Sequence, residues 1–258
     1  MNPDRMSVAK AASGVCVMSG RRLRVFGQNP EMWLNATISP LMMLFLFVYM
    51  MGTMAYDQQA FVDAQLPSIL VLSAGFTSWY TAYGVNADVR QGIVDRFRSM
   101  PVFQPAVLCG HVVGSLLFSL TTAVVVIVAG LGVGFRPTAG PGGLLAVAGL
   151  VLLLVLATSW IAVFCGLVAK SSEGLGGLGM VVQFLPLVSA GFADPTLMPL
   201  PLRVFFEHQP FTPIIGAFRG LIMGGVDGGT LALALAWCLG IAACFFGLSF
   251  RAYSRRAR

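Results

Sequence analysis

Neighbouring acid and imidazole side chains are the first candidates for chemistry in this sequence. Glu207 and His208 are adjacent and could exchange protons as a general acid and base. Neither an HExxH zinc motif nor a nucleophile motif accompanies them, so the sequence does not predict catalysis there. The five cysteines show no CxxC or cysteine–histidine spacing, and most lie in apolar runs, where a thiol behaves as a small hydrophobic group. We therefore expect neither a metal site nor a disulfide.

Nucleotide chemistry is excluded on similar grounds. The phosphate-binding pattern GxxxxGK[ST] does not occur, and the chain has only two lysines, Lys10 and Lys170. This chain therefore cannot bind ATP through such a loop.

Composition predicts a membrane protein. Hydrophobic residues make up 57% of the 258 residues and charged residues 10%, with a mean hydropathy of +0.83. Soluble domains carry about 25% charged residues, so these charges are too few to cover a water-facing surface.

The apolar residues fall into stretches long enough to cross a bilayer, which needs about 20 residues for a helix. We therefore predict an all-α integral membrane protein, with residues 1–258 forming one transmembrane domain. The fifth stretch is the weakest, because it is rich in glycine and contains Gln183 and Pro186. The six predicted spans are 34–54, 66–85, 106–133, 143–168, 174–192 and 229–250.

The arginines and lysines predict the orientation of these spans. Thirteen of them lie in the N-terminal segment, in the loops after spans two and four, and in the C-terminal tail, whereas three lie in the opposite loops. Because cytoplasmic loops carry the excess of positive charge, both termini are predicted to be cytoplasmic, with the chain in the plasma membrane. The net charge of +6 then reflects this bias and does not indicate nucleic-acid binding.

None of the six predicted spans contains Asp, Glu, Lys or Arg. Ion-coupled carriers and proton relays place such residues inside the membrane. Their absence argues against an ion-driven pump and favours a conduit for an apolar or amphipathic substrate.

The segment 88–101, reading DVRQGIVDRFRSMP, is predicted to be a short amphipathic helix in the loop between spans two and three. Val89, Ile93 and Phe97 recur every four residues and share one face, and Pro101 ends the helix. From the residues alone, this helix could lie on lipid headgroups or couple the membrane domain to a partner.

Two stretches carry a resemblance to a known family. GIVDRFRSMP, followed by Pro105 and Gly110, resembles the coupling-helix region of type-2 ABC exporter permeases of the daunorubicin-resistance class. MPLPLRVFFEHQPFTPIIGAFRGLIMGG resembles the segment after span five in that class. The resemblance extends over nearly the whole chain, although GFADPTLMP replaces the usual aromatic-valine-proline approach to the MP pair.

The resemblance implies that segment 88–101 docks on a cytoplasmic ATPase subunit. Two ATPase chains and a second permease chain, identical or related, would complete the transporter, with ATP and Mg²⁺ bound only by the ATPase. The implied contact residues are Asp88, Val89, Arg90, Gly92, Ile93, Asp95, Arg96, Phe97, Arg98, Met100 and Pro101.

The loop 193–228 is too long to be without structure in a compact protein. We predict two short, partly re-entrant helices near 200–208 and 214–223, which the resemblance identifies as an outer gate; a lid without a gating role is the alternative. The implied gate residues are Met198, Pro199, His208, Gln209, Pro210, Pro213 and Arg219.

Polar and aromatic side chains in spans two and five either pack between helices or line a substrate path. They are Thr77, Trp79, Tyr80, Tyr83, Asn86 and Gln183. The basic segment 12–28 is predicted to lie along the inner leaflet. The resemblance places spans one and five at the contact between two permeases.

The expected function is export of a hydrophobic drug-like molecule or a lipid, driven by ATP hydrolysis on a separate chain. An ATP-independent carrier or channel for an apolar solute is the alternative. An enzyme acting on lipid would need a polar catalytic cluster near the membrane interface, and the sequence has none.

Overall fold

The computed structural model describes residues 30–52, 56–92, 106–193 and 195–255, together with Gly20. Every regular element in these ranges is helical, in agreement with the predicted fold class. Most of the predicted interfacial segment 12–28 and residues 93–105 lie outside the described residues.

Within these described ranges, eight α-helices follow one another. A π-helical turn, Phe47–Met51, extends the first, and a 3₁₀ turn, Leu185–Leu187, follows the fifth. The helices are α1 (Pro30–Leu46), α2 (Gln58–Arg90), α3 (Ala106–Gly132), α4 (Pro141–Val168), α5 (Ser172–Phe184), α6 (Leu200–His208), α7 (Phe211–Met223) and α8 (Gly228–Arg255).

Five of these helices are long and apolar enough to cross a membrane: α1 with its π turn, α2, α3, α4 and α8. They coincide with the first four predicted spans and with the sixth. Since the chain has several such helices, it is a multi-pass membrane protein.

The fifth predicted span, 174–192, is not confirmed as a full span. α5 has 13 residues, which gives about 20 Å at 1.5 Å per residue, short of the hydrocarbon thickness of about 30 Å. Pro186 has no N–H to continue the helix, and the Ser189 hydroxyl donates to the Pro186 carbonyl at 2.6 Å to close a turn. The prediction missed this early end.

The helix of the second span is longer than predicted, because it extends in both directions beyond 66–85. Its 33 residues give a length of about 50 Å, so both ends extend beyond the hydrocarbon. Asp57 caps the start by accepting from Ala60 N at 3.1 Å, and Gly92, at φ +65°, follows the end. Asp88, Val89 and Arg90 therefore belong to the last turn of α2, which corrects the predicted start of a separate helix at 88.

α2 lies at the centre of the bundle, where it contacts α1, α3, α4, α5 and α7. Three buried hydroxyl pairs link the central helices: Thr77–Ser119 at 2.6 Å, Ser78–Thr158 at 2.7 Å and Ser115–Ser159 at 2.8 Å. Such bonds satisfy polar groups that lipid could not. They fix α2, α3 and α4 against one another.

Two glycines let neighbouring helices approach α2 closely. A Cβ at Gly166 of α4 would lie 2.5 Å from the Ala82 carbonyl oxygen, and one at Gly179 of α5 would lie 2.2 Å from Trp79 Nε1. Real Cβ atoms do not occupy such positions, so both contacts require glycine.

Replacing Gly179 with alanine is expected to displace α5 from α2. The Trp79 indole is only 2% exposed and has no room to retreat, so we expect a loss of about 1–3 kcal/mol in the free energy of unfolding. Denaturant unfolding in detergent micelles measures this loss. Gly177→Ala in the same helix is the matched control, because a Cβ there would meet nothing within 4 Å; equal losses in both variants would contradict the proposed contact.

The two short helices α6 and α7 match the helices predicted in the loop 193–228. Phe206 is the buried residue of α6, whereas α7 buries an apolar face against α2, α4 and α8 that includes Ile214, Ile215 and Phe218. Gly224, at φ +77°, ends α7. Asp227 then caps α8, and hydrogen bonds from the Thr230 N–H and hydroxyl hold the pKa of its carboxyl below the ordinary value.

Candidate functional site

The last turn of α2 carries three polar side chains at alternate positions, and each binds a different helix. We call Asn86, Asp88 and Arg90, together with their partners, the polar junction. Residues two apart on a helix point about 200° apart, so Asp88 points away from Asn86 and Arg90. Asn86 reaches the end of α4, Asp88 reaches α3 and Arg90 reaches the start of α5. Asn86 is buried and donates through Nδ2 to the carbonyls of Gly166 at 3.1 Å and Ala169 at 3.0 Å, at the end of α4.

Asp88 of the polar junction pairs with His111 of α3. Asp88 Oδ2 and His111 Nε2 are 2.9 Å apart, and the two residues are 7% and 5% exposed. A carboxylate this deeply buried is stable only when it is paired or hydrogen-bonded. The two residues lie on either side of segment 93–105, so the pair joins the helices that enter and leave it.

Arg90 completes the polar junction, donating through Nη1 to the Ser172 hydroxyl at 3.2 Å, at the start of α5. Ser171 caps that helix by accepting from Gly174 N at 3.0 Å. The end of α2 is therefore bonded to three helices where segment 93–105 begins.

The predicted coupling residues separate into two groups. Asp88 is buried and paired with His111 inside the bundle, and its contact with an ATPase stays a prediction. Val89 packs half-buried against an apolar cluster of α3, α4 and α8, Arg90 is exposed, and Gly92 adopts a left-handed turn. The remaining predicted residues lie outside the described residues: Ile93, Asp95, Arg96, Phe97, Arg98, Met100 and Pro101.

At the opposite end of α2, Arg219 of α7 binds two backbone carbonyls. Its Nη2 donates to Ala64 at 2.9 Å and more weakly to Gly191 at 3.4 Å. Pro67 interrupts the hydrogen bonds of α2 one turn later, and a proline inside a helix turns preceding carbonyls away from the ladder. Arg219 therefore ties α2, close to Pro67, to the turn after α5.

The turn 188–193 is also held by neutral side chains from α2, from α7 and from the residue that follows α6. The Ser68 hydroxyl donates to the Gly191 carbonyl at 3.0 Å, and Ala190 N donates to Thr212 Oγ1 at 3.2 Å. Gln209 donates through Nε2 to the Val188 carbonyl. These contacts hold backbone that the end of α5 leaves without helical partners.

The other predicted gate residues have separate environments. His208 is exposed, with Nδ1 2.9 Å from the Val204 carbonyl, and Glu207 pairs with Arg203 at 2.8 Å, so no acid–base couple forms between Glu207 and His208. His208 and Gln209 line an apolar groove of about 550 Å³ between α6 and the end of α5. Met198 is half-buried, Pro199 and Pro210 precede α6 and α7, and Pro213 is buried in α7.

The sequence matches the ABC-2 type transporter family over residues 13–223. The chain belongs to that family. It is 29% identical over 258 residues to the daunorubicin resistance ABC transporter permease protein DrrB1 of Streptomyces coeruleorubidus, covering 98% of this chain and 90% of the relative. It is 24% identical over 244 residues to the probable doxorubicin resistance ABC transporter permease protein DrrC of Mycobacterium tuberculosis, covering 93% and 86%.

Within this ABC-2 chain, the predicted path residues have two kinds of environment. Thr77, Trp79 and Asn86 are buried between helices, where Thr77 and Asn86 hydrogen-bond to neighbouring helices and Trp79 packs on α5. Tyr80, Tyr83 and Gln183 remain partly exposed. The packing interpretation fits the first three.

The exposed positions of α2 form a stripe on one face of the helix. We define the open stripe as Phe76, Tyr80, Tyr83, Gly84 and Ala87, which recur at helical spacing and are less buried than their neighbours. Phe118 of α3 contacts Tyr80 edge-on with ring centroids 6.0 Å apart, and Phe184 of α5 contacts Phe76 at 5.4 Å.

Sequence reasoning missed His111 and the roles of Asn86 and Asp88 in the polar junction. His111 lies in an apolar run where no local pattern distinguishes it, and its partner is 23 positions away. A histidine inside an otherwise apolar span was the available signal, since ionisable groups in such segments carry a default expectation of function.

Proposed function

We propose that this ABC-2 chain is the membrane-spanning permease of an ATP-driven exporter that moves an apolar, drug-like molecule or a lipid outward. A separate ATPase supplies the energy. The observation that carries the proposal is the polar junction, in which the central helix α2 is bonded to three other helices at the start of segment 93–105. Family membership supports the partner, because the chain itself has no phosphate-binding loop.

In this proposal the polar junction faces the cytoplasm and α6 and α7 face outward. The distribution of arginine and lysine supports that orientation, because thirteen of the sixteen lie on the junction side. The ATPase binds the apolar side chains of Ile93 and Phe97, whereas Val89 packs inside the bundle. Closure of the ATPase pair then moves α2, and the turn 188–193 with α6 and α7 forms the outer gate.

The assembly we propose contains two permeases and two ATPases. Apolar side chains cover the outer faces of α1 and α5: Met42 is 66%, Met180 68% and Val181 67% exposed. Side chains of this kind must be covered by lipid or by another protein. We place the second permease, identical or related, against these two helices.

The open stripe is our candidate for the path between the two permeases. Tyr80 and Tyr83 combine an aromatic face with a hydroxyl, which suits an amphipathic ring system. The printed names of the relatives associate them with daunorubicin and doxorubicin resistance, so daunorubicin is the first probe.

Reconstitution tests the proposal. The tagged chain is purified together with the ATPase that accompanies it, and inside-out vesicles are assayed for daunorubicin uptake with ATP or a non-hydrolysable analogue. We expect uptake only with ATP, and a fluorescent phospholipid tests the lipid alternative in the same vesicles.

Two aspartate variants test the coupling segment. Phe97→Asp and Ile93→Asp place a charge on the predicted apolar face, and we expect each to lower uptake about tenfold or more through lost ATPase binding. Gln91→Ala, in the turn outside that face, is the matched control. Uptake that persists without any ATPase, or that survives both aspartate variants, would establish an ATP-independent carrier instead.

A further inference from the structure

The pair formed by Asp88 and His111 links α2 to α3 next to segment 93–105. We infer that it is a positioning pair: it makes the two helices move as one unit when the partner ATPase displaces that segment. The inference rests on the proposed function. It assigns a role to His111, which neither the motifs nor the family resemblance implicates.

Asp88 and His111 lie at the ends of α2 and α3 that border segment 93–105. Asp88 lies four positions before Gly92, where the left-handed turn ends α2, and His111 lies in the second turn of α3. The next hydrogen bond between these helices in the described residues is Thr77–Ser119. Its α2 partner is eleven residues away, about 16 Å along the helix. The Asp88–His111 pair therefore links the junction ends of α2 and α3 beside segment 93–105.

The pair formed by Asp88 and His111 is surrounded by buried apolar side chains. Val85, Leu108 and Val112, on the same stretches of α2 and α3, belong to a buried apolar cluster completed by α4 and α8. Water therefore has little access to the carboxylate and the imidazole, and a charge-assisted hydrogen bond is stronger where water is excluded. A hydrogen bond shielded from water resists separation of its two partners. It can therefore transmit the movement of α2 to α3.

The neighbours of Asp88 in the polar junction bind two other helices. Asn86 fixes α2 to the end of α4 by two hydrogen bonds, and Arg90 contacts the start of α5. Asp88 adds α3, the helix that receives the chain after segment 93–105. Displacement of either end of the segment therefore moves α2 and α3 together, without a change in the angle between them.

The test measures movement at the opposite end of the protein. Leu197 is 86% exposed beside α6, so Leu197→Cys, in a background with the five native cysteines replaced by alanine, accepts an environment-sensitive fluorophore. In the reconstituted complex with the co-purified ATPase, the fluorescence change on adding ATP is divided by the rate of ATP hydrolysis. Asp88→Ala and His111→Ala are each expected to lower this ratio about tenfold, in the range of typical coupling energies, with hydrolysis itself retained.

Rescue distinguishes positioning from general stability. The double variant Asp88→Asn with His111→Gln offers a neutral amide pair that can remake the hydrogen bond, and we expect it to restore at least half of the ratio. The matched control is Ser115→Ala with Ser159→Ala, which removes a buried hydrogen bond between α3 and α4 away from the segment and should leave the ratio unchanged.

Each outcome has a defined meaning. A parent-like ratio in Asp88→Ala, or an assembled amide double variant without rescue, overturns the positioning role while the proposed function stands. A parent protein that binds no ATPase, or whose fluorescence ignores ATP, overturns the proposed function and the inference with it.

Discussion

Replacing Gly166 with alanine is expected to lower the free energy of unfolding by about 1–3 kcal/mol, the usual cost of overpacking. The added Cβ would lie 2.5 Å from the Ala82 carbonyl oxygen and 2.9 Å from Val85 Cβ. Because the first contact is with backbone, no side-chain rotation relieves it, and α4 must move away from α2. That movement also stretches the hydrogen bonds from Asn86 to the Gly166 and Ala169 carbonyls. Unfolding by denaturant in detergent micelles measures the loss.

Gly149→Ala is the matched control for this prediction. Gly149 is also in α4, and a Cβ there would meet nothing within 4 Å. Alanine is a better helix former than glycine by about 1 kcal/mol, so the control should be neutral or slightly stabilising. A Gly166→Ala variant as stable as Gly149→Ala would show that α2 and α4 are farther apart than described.

Replacing Arg219 with methionine is expected to remove about 1–3 kcal/mol of stability, the cost of leaving buried polar groups without partners. The Ala64 and Gly191 carbonyls both lose the Arg219 donor, and the Gly191 carbonyl keeps the Ser68 hydroxyl. Arg219→Lys should recover part of the loss, since one ammonium group cannot reproduce the planar guanidinium fork. Unfolding measurements give the stability, and ATP-dependent daunorubicin uptake gives the effect on the proposed gate.

Arg203→Met is the control for the loss of an arginine in the same region. Arg203 is exposed and pairs with Glu207 one turn away, and exposed pairs of this kind contribute about 0.5 kcal/mol or less. If the two variants were equally stable, Arg219 would not be holding the turn 188–193 to α2.

The sequence predicted the elements whose signal is local. Long apolar runs identified α1 to α4 and α8, and Pro210 marked the boundary between the two short helices after α5. These features follow from the length of a membrane span and from the missing N–H of proline, and both can be seen in a window of about twenty residues.

The polar junction could not be predicted in the same way, because its contacts join distant parts of the chain. Asp88 reads as one of several charges in an amphipathic segment, and only the packing of α2 on α3 turns it toward His111. Likewise, the sequence alone allows Asn86 to face a substrate path. Only the structure shows that its amide binds two carbonyls at the end of α4. Ends of elements were also poorly predicted: α2 exceeds its apolar run at both ends because polar residues such as Asp57 cap and extend it.

α2 is the element common to both ends of the molecule. Its Ala64 carbonyl receives Arg219, and its Asn86 amide binds α4, 22 residues or about 33 Å further along the helix. In the proposed mechanism, one continuous helix therefore links the ATPase side with the gate. The hydroxyl pairs Thr77–Ser119 and Ser78–Thr158 hold α3 and α4 to its middle, so displacement of α2 involves its neighbours.

The shortness of α5 makes the protein sensitive to the thickness of its host bilayer. Long helices accommodate a thicker or thinner membrane by changing tilt, at a modest cost for each ångström of mismatch. α5 cannot do so, because its 13 residues are already fewer than a span needs and Pro186 prevents extension. Lipids with longer acyl chains would therefore act first on α5 and on the turn that follows it, whereas shorter chains would match its length.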